Sequence, residues 1–179
     1  MPTRGELEAA RSRQVADVLA PSLRVVFCDI NPDLYTAWTD YHFARPNNRF
    51  WKALHLSGFT PRLFAPSEQD QLLRLGLGVT NLVPRTTARA DELGRADLEA
   101  GAAALRGKLR RYGPRWLAML EAGAYRAAFG SPGAVVGEQP DLLEGVRVWL
   151  LPNPSGLNAH YQLPALAGEF ARLRLASEA

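Results

Sequence analysis

Two kinds of apolar pattern run along the chain. Short, continuous apolar stretches rich in β-branched side chains, bounded by turn formers, predict buried strands at Arg24–Cys28, Gly78–Val83, Arg115–Leu120 and Val146–Leu151. Between them, helical spacing and capping residues predict helices. The first runs from about Arg4 to Leu19, with Thr3 and Glu6 at capping-box spacing and Pro21 as its stop. Asn47 or Asn48 can cap the next, through Leu56 to Gly58, and Ser67 with Asp70 opens another that ends near Gly76. Asp97–Tyr112, Ala122–Phe129 and Leu163–Leu175 complete the set, and Asp29–Pro46, Pro84–Arg95 and Pro152–Tyr161 read as loops.

Strands alternating with helices imply right-handed crossovers and a mainly parallel four-stranded sheet with helices on both faces, an α/β/α sandwich. The 179 residues fit one domain, with 1–22 as an N-terminal helical segment outside the motif region. In such sheets ligands bind beyond the carboxyl ends of the strands. That rule selects the loops after Cys28, Val83, Leu120 and Leu151.

Composition narrows the class. With 47% hydrophobic and 22% charged residues, the chain is too apolar for disorder. No apolar run approaches the ~20 residues of a membrane span. Charged residues from Arg4 to Asp17 also break any signal-like stretch, so a reducing cytoplasm is expected. The lone Cys28 excludes an internal disulfide and a Cys-only zinc site, and is expected to be a small core residue. His42, His55 and His160 are scattered and there is no glycine-rich nucleotide loop, so neither metal nor cofactor is expected. The net charge of +3 is compatible with a polyanionic partner, and of 21 basic residues only Lys52 and Lys108 are lysines.

Two of the four loops carry an Asn-Pro pair directly after a strand: Asp29-Ile30-Asn31-Pro32 and Pro152-Asn153-Pro154-Ser155-Gly156-Leu157-Asn158. Proline stiffens the chain and keeps the residue before it extended, so the Asn amide can be aimed. An amide has two donors and two acceptor lone pairs, which suits a planar, hydrogen-bonding ligand such as a base. One such pair would be an ordinary turn; two at one sheet edge point to a site. Leu157, after Ser155-Gly156, is either an apolar wedge for a base stack or a loop residue packed inward. Tyr35, Trp38, Tyr41 and Phe43, followed by Arg45 and Arg49, suit base stacking beside phosphate contacts, although at least two of the rings are expected to fold onto the core.

These residues resemble a family. Ile30-Asn31-Pro32, Phe43-Ala44-Arg45-Pro46-Asn47-Asn48-Arg49-Phe50-Trp51, Gly78-Val79-Thr80-Asn81-Leu82-Val83 and Asn153-Pro154-Ser155-Gly156-Leu157-Asn158 look like the mismatch-specific uracil-DNA glycosylases, bacterial relatives of thymine-DNA glycosylase. The resemblance runs in order from about Val25 to Leu173. It implies the uracil-DNA glycosylase fold and removal of mispaired uracil from double-stranded DNA by a cytoplasmic enzyme, expected to be a monomer. By similarity, Asn31 would position the attacking water, the Ile30 main chain would hold the uracil edge, and Phe43 would stack on the flipped base. Thr36 falls where a small hydroxyl residue often lies near the base. Leu157 would fill the gap in the duplex and Gly156 would face the orphaned guanine. Asn153 belongs to the same motif, and Ser155, Asn158 and nearby arginines would hold phosphates.

The sequence departs from that pattern where the family has G-x-N-P-G. Asp29 and Asp33 replace the glycines, and two carboxylates are awkward beside phosphates, so they are expected to serve the loop or the water. Asp91, on the same rim after the second strand, either assists Asn31 as a general base or simply precedes the next helix. No lysine lies in the motif loops, so a Schiff-base lyase has no nucleophile. Two alternatives stand beside the mismatch reading. One is a broader enzyme acting also on A·U pairs and single strands; the other is a mismatch- or abasic-site-binding protein with weak chemistry.

Overall fold

The computed structural model describes residues 1–179. Five strands form one sheet in the order β2-β1-β3-β5-β4. β1 (Val25–Asp29), β2 (Leu77–Asn81), β3 (Trp116–Leu120) and β5 (Arg147–Leu151) are parallel, in the register Val25↔Leu77, Val25↔Trp116 and Trp116↔Arg147. The fifth strand, β4 (Gly137–Glu138), is a two-residue antiparallel edge that the sequence pattern did not show; two residues are too few to display an alternation.

Strands covered on both faces are apolar throughout. On one face, α3 (Phe50–Leu56) and α6 (Leu163–Glu178) bury Phe27, Phe50, Phe59 and Phe170. The Phe27 ring meets Phe50 and Phe59 edge-on at 5.3 and 5.5 Å and lies nearly parallel to Phe170 at 5.9 Å. On the other face, α4 (Arg95–Tyr112) and α5 (Ala122–Phe129) cover Cys28, Leu117, Met119 and Leu150. Cys28 is fully buried, as expected, and burial raises its thiol pKa well above the usual range. The result is a three-layer α/β/α sandwich with one more strand than anticipated. No helix is long and apolar enough to cross a membrane.

Three segments differ from the pattern reading. The first helix, α1 (Arg4–Ala9), starts with the expected Thr3–Glu6 capping box but ends early, followed by a 3₁₀ turn at Ala10–Ser12. Val18 instead exchanges both of its main-chain hydrogen bonds with Val79, at 2.9 Å each, and so closes the free edge of β2. The chain fits closely there, since a Cβ on Gly78 would lie 2.5 Å from the Val18 carbonyl oxygen. Second, Pro66–Leu75 is a 3₁₀ segment rather than an α-helix, with the Glu68 carboxylate accepting from the Ala65 N–H at 2.8 Å. Third, the loop after β1 contains α2 (Leu34–Thr39), capped by Asp33, whose carboxylate accepts from the Thr36 N–H at 2.7 Å. Six residues between a proline and a left-handed Asp40 are too short for a helical period to show.

Candidate active site at the strand ends

Register brings the carboxyl ends of the parallel strands to one edge, with Asp29 opposite Asn81 and Leu120 opposite Leu151. Beyond them lies an open pocket of about 990 Å³. Its lining includes Ile30, Asn31, Thr36, Phe43, Asp91, Asn153, Ser155, Leu157 and Asn158, every expected site residue except Gly156. Of the four aromatic rings in the first loop only Phe43 reaches it.

Asn31 is 7% exposed, and its surroundings orient the amide. Nδ2 lies 2.9 Å from the Arg85 carbonyl oxygen, 3.2 Å from the Pro32 carbonyl oxygen and 2.8 Å from the Thr87 hydroxyl. Carbonyl oxygens can only accept, so the nitrogen must point at them. The side-chain oxygen Oδ1 is left with no partner in the protein, on the pocket side. Thr87, which the sequence did not single out, is brought beside this loop by its N–H donating to the Pro32 carbonyl at 3.2 Å.

Phe43 is 4% exposed, and its ring stacks on Phe50 at 3.9 Å, so only its opposite face is open to a planar ligand. It sits at φ +55°, a left-handed conformation that an aromatic residue adopts at a cost of about 1–3 kcal/mol. The flanking structure holds it there. The Trp51 indole donates to the His42 carbonyl at 3.0 Å, and the His42 N–H donates to Gln69 Oε1 at 2.8 Å. Thr36 is buried at the pocket wall, and its hydroxyl makes no hydrogen bond within the protein.

The Ile30 main chain is less free than the resemblance implies. Its N–H donates to Asp29 Oδ1 at 2.9 Å, and its carbonyl accepts from the Val83 N–H at 2.9 Å, leaving one lone pair to spare. Asp33 is likewise occupied: besides capping α2, it pairs with the Arg45 Nε at 2.8 Å. Arg45 is thus tied to Asp33 through Nε, while its side chain also lines the pocket. Asp91 stands on the rim in a short 3₁₀ turn, its side chain 71% exposed, paired with Arg89 at 3.1 Å. At the β3 end, Glu121 caps α5, each carboxylate oxygen accepting from an N–H (Gly123 and Ala124) at 2.7 Å.

The loop after β5 makes its own turn. Asn153 Oδ1 accepts from the Ser155 N–H at 2.8 Å, Ser155 Oγ from the Leu157 N–H at 3.2 Å, and Asn158 Nδ2 donates to the Asn153 carbonyl at 3.0 Å. These side chains shape the loop first, and Leu157, 88% exposed, projects from it. Gly156 packs against Asn47, where a Cβ would lie 2.5 Å from the Asn47 carbonyl oxygen. Arg49 holds the loop from beneath. Its guanidinium donates to the carbonyls of Pro154, Ser155 and Asn158 at 3.3, 2.7 and 3.3 Å, and to that of Tyr161. Arg49 is thus a loop clamp and not, as expected from its place beside the aromatics, a phosphate ligand.

The fold and the pocket define an α/β protein whose site lies beyond the carboxyl edge of a parallel sheet. Within that class the chain belongs to the uracil DNA glycosylase superfamily, whose family model matches residues 16–173. Its fold is similar to the solution structure of a protein from Methanosarcina acetivorans described as a candidate uracil DNA glycosylase. The TM-score is 0.59 at 16% identity, covering 90% of this chain and 98% of that one. Membership makes this an N-glycosylase acting on DNA.

Proposed function

We propose that the protein is a monofunctional glycosylase that takes uracil mispaired with guanine out of double-stranded DNA and hydrolyses its N-glycosidic bond. The observation that carries this reading is the Asn31 amide, fixed through its nitrogen with its oxygen free at the pocket. In that arrangement Oδ1 accepts a hydrogen bond from a water and aims it at the sugar carbon, while Phe43 supports the base. Positioning of this kind lowers a barrier without proton transfer. As the bond breaks, the sugar gains positive charge, the base leaves as an anion, and the water oxygen bonds to the carbon. The water's proton then needs an acceptor, which an amide cannot be. We assign it to Asp91, a carboxylate on the rim of the same pocket. Neither Lys52 nor Lys108 lines the pocket, which agrees with hydrolysis rather than a Schiff-base lyase. Leu157, exposed on the loop after β5, is the apolar side chain available to enter the stack vacated by the base.

The test uses excess enzyme on labelled duplexes carrying one G·U, A·U or G·T pair, and on single-stranded uracil, with hot alkali revealing abasic sites. Fastest cleavage at G·U is the expected result, because a weak pair costs less to open. Equal cleavage of A·U and single strands would replace mismatch specificity with a broader activity. Binding of the mismatch without cleavage would overturn the catalytic reading.

A further inference from the structure

A residue that departs from the family's pattern also lines the pocket. Asp29 is the last residue of β1, half-buried, with Oδ1 accepting from the Ile30 N–H at 2.9 Å. Its second oxygen has no hydrogen bond or ion pair in the protein and is not sealed from the pocket that Asp29 lines. The Ile30 carbonyl already accepts from Val83. The Ile30 main chain therefore offers a base no donor, only the spare lone pair of its carbonyl, beside the free Asp29 oxygen.

We propose that Asp29 is a specificity residue. It withdraws the Ile30 N–H from the base and presents its own free oxygen, as a carboxylate, to a ring N–H such as N3–H of uracil. The proposal rests on the glycosylase reading above. A carboxylate can only accept, so a base whose ring nitrogen carries a substituent instead of hydrogen loses this contact. A carboxyl proton would remove that preference, because the group could then donate to a ring carbonyl instead.

Burial, with no cation paired to the group, puts that change close to neutral pH. Asp33 is paired with Arg45 and Arg89 with Asp91, Glu121 rests on two N–H groups, and the Arg126 Nε donates to the Ala134 carbonyl. His160 stands on the loop after β5, and none of these cations pairs with Asp29. Burial, and then repulsion from Asp33, push the Asp29 carboxyl up to about 7 against the pull of the Ile30 N–H.

The experiment compares single-turnover cleavage of uracil and of 3-methyluracil opposite guanine, from about pH 5.5 to about pH 8.5, across the range in which such a carboxyl ionises. It is run on the wild type, Asp29→Asn and Asp29→Gly, with melting curves confirming that the variants fold. The bulk of the methyl group is the same at every pH, so a change of the rate ratio with pH reports the hydrogen bond. In the wild type the uracil preference is expected to rise roughly tenfold or more through neutrality, the size of one hydrogen bond to a charged group. In Asp29→Asn, Oδ1 stays on the Ile30 N–H and an NH₂ donor faces the base, so the preference falls and the rise disappears. Asp29→Gly also loses the rise. A general-base role would change both rates together and leave the ratio flat. A flat ratio in the wild type, or one unchanged in Asp29→Asn, overturns the proposal. No cleavage of uracil by the wild type at any pH overturns the glycosylase reading, and this proposal with it.

Discussion

The loops after β1 and β5 carry the same Asn-Pro pair and use it in opposite ways. Asn31 turns outward from its own loop and is tied to the segment after β2, through Arg85 and Thr87. Asn153 turns inward and closes a turn on Ser155, two residues away. The first loop is consequently buried and fixed by its neighbours. The second is self-contained, exposed at Leu157, and held to the body mainly through Arg49. The difference follows from the tasks proposed for them. A group that aims a water must not move relative to the sheet, and tertiary contacts give it that rigidity. A segment that enters a duplex has to protrude, so its order comes from hydrogen bonds within the loop.

If this contrast is right, the largest effect belongs to the first loop. Asn31→Ala is expected to slow single-turnover cleavage roughly a hundredfold to a thousandfold, the usual loss on deleting one preorganised polar group. Binding to an abasic duplex should be nearly unchanged, as measured by fluorescence anisotropy. A proportional loss of binding would mean that Asn31 grips the nucleic acid instead of aiming water. Leu157→Ala comes next, with roughly a tenfold loss on paired uracil from the apolar surface no longer buried in the stack. Single-stranded uracil needs no wedge and should be cleaved at the wild-type rate. Equal losses on the two substrates would refute the wedge.

How much of this was legible in the residues follows the same division. The four parallel strands, α4, α5 and α6 were readable because their apolar runs and caps are local features. So was the collection of the Asn-Pro loops at one edge, which follows from strand order and chain direction. What the pattern missed depends on contacts distant in sequence. Val18 pairs with Val79 where the capping box at Thr3 and the stop at Pro21 suggested one continuous helix. Arg49 looked like a phosphate ligand because nothing near it in sequence shows the carbonyls of residues more than a hundred positions away. Asp33, a helix cap in the structure, was hidden by the shortness of the helix it starts. Thr87 had no motif at all, although its loop was already placed on the right edge.

Arg49 tests the second loop more gently. Its fork spans several carbonyls at once, and a lysine concentrates its donors at one point, so Arg49→Lys should not restore what Arg49→Ala removes. Either change is expected to lower stability by about 1–3 kcal/mol in urea titration, the range for hydrogen bonds from a charged donor. It should also reduce duplex cleavage by less than Leu157→Ala does. Combined with Leu157→Ala, it should add little to the cleavage defect, because both act through the wedge. Full additivity would show that the clamp and the wedge are independent.

The smallest effect is expected at Asp33, and it separates the two ways of fixing a loop. Asp33 both caps α2 and pairs with Arg45, across side chains 32% and 40% exposed. Asp33→Ala removes cap and pair together, about 1 kcal/mol by the usual value of an N-cap. Asp33→Asn keeps an oxygen for the Thr36 N–H and loses only the half-exposed pair, about 0.2–1 kcal/mol. Asn31 keeps all three of its contacts in both variants, so cleavage should stay close to wild type while melting temperature falls slightly, more for Ala than for Asn. A fall in cleavage as large as that of Leu157→Ala would show that the aim of Asn31 depends on α2, and that the first loop lacks redundancy. Equal destabilisation by Ala and Asn would move the anchor from the cap to the Arg45 pair. Near-wild-type cleavage in both variants would leave the contrast sharpened: several weak ties share the fixing of the first loop, whereas the protruding loop depends mainly on one arginine.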